Sequence, residues 1–442
     1  MEFFNIPTEN NLADLKKQVL LWAAQFDKLA YYDNNEYTNN AYHRYEMILG
    51  CGAWEEIEVL ETESGFKDLE IFLETQVGQW ILGYLSYDLK NELEQLQSNH
   101  QDHLGFAKLH FFVPKHLILI YPESERVEIF SHTLPPKEIW AAIQKMPPIR
   151  GATSAIKPNI QARITKKEYL STIDALRGHI IEGDIYELNF CQEFYVEQIS
   201  IDPLPLFVEL NERSPAPFAA YYRNTEQHLL CASPERFLYK EGNKLISQPI
   251  KGTIRRGVNE EEDRLLGQAL LNSEKDRAEN VMIVDLVRND LAKTCEPGTV
   301  EVEELFGIYA FQQVLQMIST VSGQLKETEN GLSALKSAFP MGSMTGAPKV
   351  MTMELIEHYE KTQRGLYSGA VGYFTPDGDF DFNVVIRSIL YNASRNYLSF
   401  QVGGAIVYDS QPEGEYEECL LKAKGMFAAL NSLKIKSQKS KD

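Results

Sequence analysis

"YELNFCQEFYV" (186–196) alternates: Tyr186, Leu188 and Phe190 fall on one face, Glu187, Asn189 and Cys191 on the other. A period of two belongs to a β-strand. The segment before it keeps a different period. Thr165 and Glu168 carry the spacing of a capping box, ahead of a helical apolar stripe formed by Tyr169, Ile173, Leu176 and Ile180. Gly183 then supplies the stop such a helix needs.

The same two periods recur outward from this point. Strands are read in "HLLCASPERFLYK" (228–240), "KLISQPI" (244–250), "GAVGYF" (369–374), "FNVVIRSILY" (382–391) and "YLSFQVGGAIVY" (397–408). Helices are read over 260–292, 331–339, 348–361 and 414–431. Upstream, "AKLHFFVP" (107–114) and "HLILIY" (116–121) are strand-like. Strands in neighbouring runs with long helices between them predict a mixed α+β fold of antiparallel sheets with helices outside, not a doubly wound one. The candidate linker is "KMPPIRGATSAIKPN" (145–159), which sets a region of residues 1–158 against a main region of 159–434. The two regions are expected to build one body. Residues 435–442 read as a frayed tail.

Composition excludes several classes. With 442 residues and 44% hydrophobic content, a large core is available. A net charge of −20 argues against nucleic acid, which needs clustered Lys and Arg, yet permits an anionic substrate in a locally basic cleft. Cys51, Cys191, Cys231, Cys295 and Cys419 form no CxxC pair, so neither a zinc site nor a disulfide framework is read. "MEFFNIPTEN" lacks the pattern of a secretory leader, and runs such as "LILIY" are too short to span a bilayer. The expected home is a reducing cytoplasm, without a membrane partner.

Several stretches could carry chemistry. "QPIKGTIRRG" (248–257) presents Lys251 between Pro249 and Gly252, either as a solvated turn cation or as a reactive amine. "MGSMTGAPK" (341–349), which holds Thr345, fails as a P-loop because Pro348 precedes Lys349 and Val350 follows it. What remains is a glycine-rich turn into a helix, suited to an anion and equally to a plain turn. "KDRAENVMIVDLVRND" (275–290) sets Glu279 among apolar residues; an ion pair with Lys275 is the plainer reading, in its less favourable order. In "EGEYEECLLKAKG" (413–425), Glu415, Glu418 and Lys422 share one helix face opposite Tyr416, Cys419 and Ala423. That face is either solvated or functional. Glutamates from two helices, Glu279 and Glu418, would suit Mg²⁺. Arg387 and Tyr367 could clamp a carboxylate. Glu235 in "SPERF" could be a general acid whose pKa is raised by burial.

In order, "GDIYELNF", "CASPERFL", "PIKGT", "KDRAENVMIVDLVRND", "PMGSMTGAPK", "YSGAVGYF", "VVIRS", "GGAIV" and "EYEECLLKAK" resemble the chorismate-utilising enzymes over roughly residues 160–430. That family holds anthranilate, aminodeoxychorismate, isochorismate and salicylate synthases. At the slot of Lys251 the aminodeoxychorismate synthases read "PIKGT", while the other members carry alanine. The resemblance implies a fold of two large antiparallel sheets packed together with helices outside. It implies amination of chorismate to 4-amino-4-deoxychorismate for para-aminobenzoate and folate synthesis, with ammonia from a separate glutamine amidotransferase subunit.

Residue by residue, the resemblance implies Mg²⁺ on Glu279 and Glu418, with Asp276 and Glu415 behind them. Tyr367, Arg387, Lys422, Gly403 and Gly404 would hold the enolpyruvyl carboxylate or nearby oxygens, and Gly252, Thr253 and Thr345 would join the substrate site. Lys251 would add to C2 while Glu235 protonates the departing C4 hydroxyl; ammonia then attacks C4. The amine has to be neutral to attack, so burial and the nearby cation are expected to lower its pKa.

Three positions depart from the family. Gln316 stands where relatives read histidine, and Ala405 replaces a third glycine. Glu187 occupies the slot of the water-activating lysine of isochorismate and salicylate synthases, which implies a role in receiving or orienting ammonia or ammonium. The signature of tryptophan-binding relatives is not visible near "YYDNNEY". The alternatives are anthranilate synthase component I and a non-catalytic chorismate-binding subunit.

Overall fold

The helix Lys166–Glu182 forms between the predicted caps. The Glu168 N–H donates to the Thr165 hydroxyl at 3.2 Å, the Glu168 carboxylate accepts the Thr165 N–H at 2.7 Å, and Gly183 closes the helix at φ 87°. The chain then enters the strand Glu187–Val196, where Leu188 and Phe190 pack with the helical residues Tyr169 and Cys419 while Cys191 joins the core on the other side. The computed structural model describes residues 2–5, 12–38, 42–61, 63–94, 96–122, 126–149, 151–154, 157–312 and 314–435.

Glu187–Val196 lies antiparallel to Tyr397–Ile406, from Leu398 opposite Val196 to Ile406 opposite Leu188. The ladder continues through Ser388–Asn392, Gln227–Ser233, Phe218–Asn224, Lys28–Asp33 and Met47–Val59 to Leu109–Ile120. There it divides. One half of Leu109–Ile120 pairs with Arg126–Ser131 and the other with Ile81–Leu85. From Ile81–Leu85 a second arm runs through Ala370–Phe374, Phe380–Val384, Arg236–Glu241 and Lys244–Gln248 to Val314–Gln324. Ile250–Arg255 and Glu301–Ala310 complete it, each antiparallel to Val314–Gln324. The fold is therefore two large antiparallel sheets, as expected, joined through one shared strand.

One apolar core holds residues of both arms, among them Ala220, Leu229 and Leu390 with Leu82, Phe111 and Phe382. A second core covers the far face of the first arm with helical side chains such as Leu15, Ile173 and Ala423. All five cysteines are buried and free. No described helix is long and apolar enough to cross a membrane.

Several element boundaries differ from the sequence reading. "HLLCASPERFLYK" is two strands, Gln227–Ser233 in the first arm and Arg236–Glu241 in the second. "FNVVIRSILY" likewise divides into Phe380–Val384 and Ser388–Asn392. Alternation continues across both crossings, so the period does not betray them; Pro234 lacks an N–H for the ladder, and Arg387 turns the chain at φ 51°. The crossings are bonded to each other: the Val384 N–H donates to the Glu235 carbonyl at 3.1 Å, and the Ala232 N–H to the Arg387 carbonyl at 3.3 Å. The helix read over 260–292 is two, Glu260–Leu271 and Glu274–Ala292, because Ser273 caps the second by accepting the Asp276 N–H at 3.3 Å. "AKLHFFVP" and "HLILIY" are one strand.

The linker is no break in the sheet, since Lys28–Asp33 and Ile81–Leu85 pair with strands of the later region. Within it, residues 150, 155 and 156 lie outside the described residues, while Thr153–Ser154 pairs with Lys434–Ile435. Of the predicted tail, Ile435 is thus paired, and residues 436–442 lie outside the described residues.

Candidate active site

Lys251 is not on a surface turn. Pro249 ends one strand and Ile250 begins the next, whose register against Val314–Gln324 shifts between Ile250 and Thr253. Such a bulge re-aims a side chain, and here Lys251 is 9% exposed. Gly252 permits it: φ is +88°, and a Cβ there would lie 3.0 Å from Oδ1 of Asp276. The Lys251 Nζ donates to Oε1 of Glu187, itself 5% exposed on the strand Glu187–Val196.

Burial lowers the pKa of Lys251, as expected, but the carboxylates of Glu187, Glu279 and Glu235 outweigh it, and the net shift is upward. Facing these carboxylates the amine is an ammonium; the neutral base was expected from burial together with a nearby cation. Glu235 sits at the crossing after Pro234, is 5% exposed, and burial raises its pKa to about 7 against the opposing charge of Lys251. A small cavity bounded by Pro249, Gly342 and Ser343 opens at its side.

An acidic cluster lies on the other side of Lys251. Glu279, on Glu274–Ala292, is buried, and its pKa is raised to about 7 by burial, with Lys251 opposing and Glu187 reinforcing. Lys275 stands 3.8 Å from Glu279 and 3.6 Å from Glu415, too loosely to neutralise either fully. Glu415 is buried and accepts the Ser410 hydroxyl at 2.7 Å. Glu418 is partly exposed and paired with Lys422 at 2.8 Å, which lowers its pKa. Lys422 in turn donates to the Gly403 carbonyl at 3.0 Å. A Cβ on Gly404 would lie 3.4 Å from Glu415, 3.7 Å from Glu418 and 3.7 Å from Lys422. The charged face of Pro412–Asn431 therefore covers the glycine strand and is not merely a solvated surface.

Oxygen-only donors, two of them glutamates from different helices, fit a hard divalent cation such as Mg²⁺. Glu279 is a buried carboxyl paired only loosely, with Lys275 at 3.8 Å. Among the described residues, the one group of three candidate ligands gathered within 4.8 Å is His179, Glu182 and Asp184. The Glu279–Glu418 cluster is thus looser than a closed protein cage, in keeping with an ion that retains water and substrate oxygens.

Arg387 follows the second crossing, partly exposed, and among the described residues its guanidinium has no hydrogen-bond or ion-pair partner. Burial lowers its pKa, against Tyr367 and Glu418. Tyr367 is buried with its hydroxyl 3.3 Å from the Cys191 sulfur. Two predicted site residues are placed differently from the rest. Thr345 is fully buried with its hydroxyl 3.3 Å from the carbonyls of Met341 and Gly342, so it holds its own turn. Thr253 is exposed, opposite Gln316 in the ladder. Gln316 is buried, and its Oε1 has no hydrogen-bond partner among the described residues. At the helix start after Pro348, the Lys349 amine is bound to Asp290 at 2.6 Å.

Sequence reasoning missed what fixes the site from behind. Arg364 makes a two-pronged pair with Glu360 (2.9 and 2.6 Å) and donates to the carbonyls of Met344 and Asn189. Glu360 also accepts the Cys191 N–H at 2.9 Å. This enclosed pair ties the strand bearing Glu187 to the turn bearing Thr345. Its only sequence signal is the i,i+4 spacing of Glu360 and Arg364. Similarly, Arg236, beside Glu235, is locked by Asp381 through two bonds of 2.9 Å.

Residues 19–428 match the family described as chorismate binding enzyme. The chain is 31% identical over 398 residues to aminodeoxychorismate synthase component 1 of Bacillus subtilis (strain 168), covering 87% of this chain and 82% of that protein. It is 43% identical over 276 residues to a probable chloroplastic aminodeoxychorismate synthase of Oryza sativa subsp. japonica, over 62% of this chain but only 31% of that longer protein. In structure it resembles anthranilate synthase component I from Streptococcus pneumoniae TIGR4, with a TM-score of 0.75 at 24% identity, covering 88% of this chain and 93% of that one. The chain belongs to the chorismate binding enzyme family.

Proposed function

We propose that the chain is an aminodeoxychorismate synthase component I, which converts chorismate and ammonia to 4-amino-4-deoxychorismate for para-aminobenzoate and folate synthesis. The observation that carries this reading is Lys251: a buried amine on a bulge, bonded to Glu187 and within the field of Glu235 and Glu279. The rice and Bacillus relatives, both aminodeoxychorismate synthases by name, support it. Component 1 in the second name supports a separate partner, a glutamine amidotransferase subunit, as the ammonia source.

The chain's own groups supply the steps. Arg387, with its free guanidinium, and Lys422 bind carboxylate oxygens of the substrate beside Tyr367, Gly403 and Gly404. Glu279 and Glu418 would hold Mg²⁺, with Asp276 and Glu415 behind them; the ion would supply positive charge for the ring carboxylate. Lys251, as the neutral amine, forms a bond to C2, the diene electrons move around the ring, and the C4–O bond breaks. Glu235, its pKa raised to about 7 by burial, gives its proton to the leaving hydroxyl, which departs as water. Ammonia then attacks C4, the electrons return, the lysine leaves as a neutral amine, and the new C4 ammonium gives a proton back to Glu235. Gly252 lies along the ring, and Thr345 holds the adjoining turn.

Incubation with chorismate, a magnesium salt and ammonium tests the reading. The expected product yields para-aminobenzoate only after a lyase is added, and Lys251→Ala loses turnover by about 10²-fold or more. Fluorescent anthranilate without lyase overturns the assignment. Binding of chorismate without turnover would identify a non-catalytic subunit instead.

A further inference from the structure

The ion pair of Lys251 with Glu187 raises a question that the reaction does not answer by itself: where the lysine's proton goes before it attacks. Nζ has one hydrogen-bond acceptor among the described residues, Oε1 of Glu187. Both side chains are buried, 9% and 5% exposed, so bulk water has little access to either. Glu187 is also fixed in place. Its backbone is registered opposite Ala347, and the next strand pair sets Leu188 against Ile406. The other charged groups near the pair come from separate elements: Glu235 at the crossing, Glu279 with Lys275 and Asp276 on Glu274–Ala292, and Glu418 with Lys422 on Pro412–Asn431. None of them is hydrogen-bonded to the amine.

We propose that Glu187 is a general base that accepts the proton of Lys251 inside the closed site, so that the amine becomes a nucleophile without exchanging that proton with solvent. The inference rests on the proposed role of Lys251 and deepens it. The balance is simple. Ammonium and carboxylate become amine and carboxylic acid, and the amine pair then forms the bond to C2 as Glu235 protonates the leaving oxygen. When ammonia expels the lysine as a neutral amine, the proton returns from Glu187.

Internal transfer has a signature. A proton that passes within the Lys251–Glu187 ion pair is not exchanged with solvent, so the reactive fraction does not follow bulk pH. Without the acceptor, the neutral fraction of the lysine rises about tenfold per pH unit below its pKa. The experiment mixes protein with chorismate and magnesium, without ammonium, from pH 6 to 9, and follows the adduct by intact mass. The ratio of the Glu187→Gln rate to the wild-type rate cancels the titration of Glu235. It is expected to rise about tenfold per pH unit, while the ratio for Glu187→Asp stays flat at a lower rate. A flat ratio for Glu187→Gln, with adduct forming in both proteins, overturns the proton-acceptor role and leaves the nucleophile standing. Absence of any wild-type adduct removes the nucleophile itself, and this role with it. If Glu187→Gln does not fold, as seen by thermal unfolding, Glu187→Asp decides: a ratio that climbs with pH refutes internal transfer.

Discussion

Glu235 carries a conflict between stability and chemistry. Its ordinary pKa of 4.5 is raised to about 7 by burial, so the folded protein keeps a proton that the unfolded chain has released. Stability contributed by that proton is complete below about pH 4.5 and is lost as pH rises through about 7. The full loss is about 3 kcal/mol. Glu235→Gln keeps a neutral side chain at every pH. Its unfolding temperature is therefore expected to exceed that of the wild type by a margin that grows from pH 5 to 8 and then levels. Turnover should fall by about 10²–10⁴-fold, the usual contribution of a general acid. Thermal melts across that pH range, paired with chorismate consumption, check both halves. A margin that shrinks with rising pH would mean that Glu235 is ionised in the fold.

At the scale of elements, the site depends on places where regular structure is interrupted. Gly252→Ala puts a side chain on a residue at φ +88°, 3.0 Å from Asp276. The expected cost is about 1–2 kcal/mol of stability, measured by denaturant unfolding. Turnover should fall further than stability, because the bulge that aims Lys251 is displaced; equal turnover would show that the bulge is not needed. Such interruptions also explain what could be read in advance. The capping box of Thr165 and Glu168 is local, and it was legible. The break at Ser273 was not, because the apolar pattern runs on past a cap that only hydrogen bonding reveals. The crossings at Glu235 and Arg387 keep strand alternation while changing sheets, so period alone merges what the fold divides. Ordered motifs marked Lys251, Glu235, Glu279 and Glu418, yet the partner of the lysine was hidden, since Glu187 is 64 residues away in the chain.

For the whole molecule, the shared strand Leu109–Ile120 decides what can fold alone. It joins the arms, and strands from the first 158 residues sit within the ladder instead of at its edge: Lys28–Asp33 lies between Met47–Val59 and Phe218–Asn224, and Ile81–Leu85 between Leu109–Ile120 and Ala370–Phe374. Every candidate site residue belongs to the later region, so sequence motifs alone would place the working part in 159–434. The ladder argues otherwise. Removing the earlier region would expose the open edges of Phe218–Asn224 and Ala370–Phe374 and uncover apolar faces such as those of Ala220 and Val371. Residues 159–434 produced alone are therefore expected to aggregate or to unfold without a cooperative transition, whereas co-expression with residues 1–158 should recover a soluble, cooperatively melting pair that binds chorismate. Calorimetry of both preparations distinguishes the outcomes. A cooperative transition in the isolated later region would show that its own core suffices, and that the long ladder is an addition to a self-standing catalytic unit.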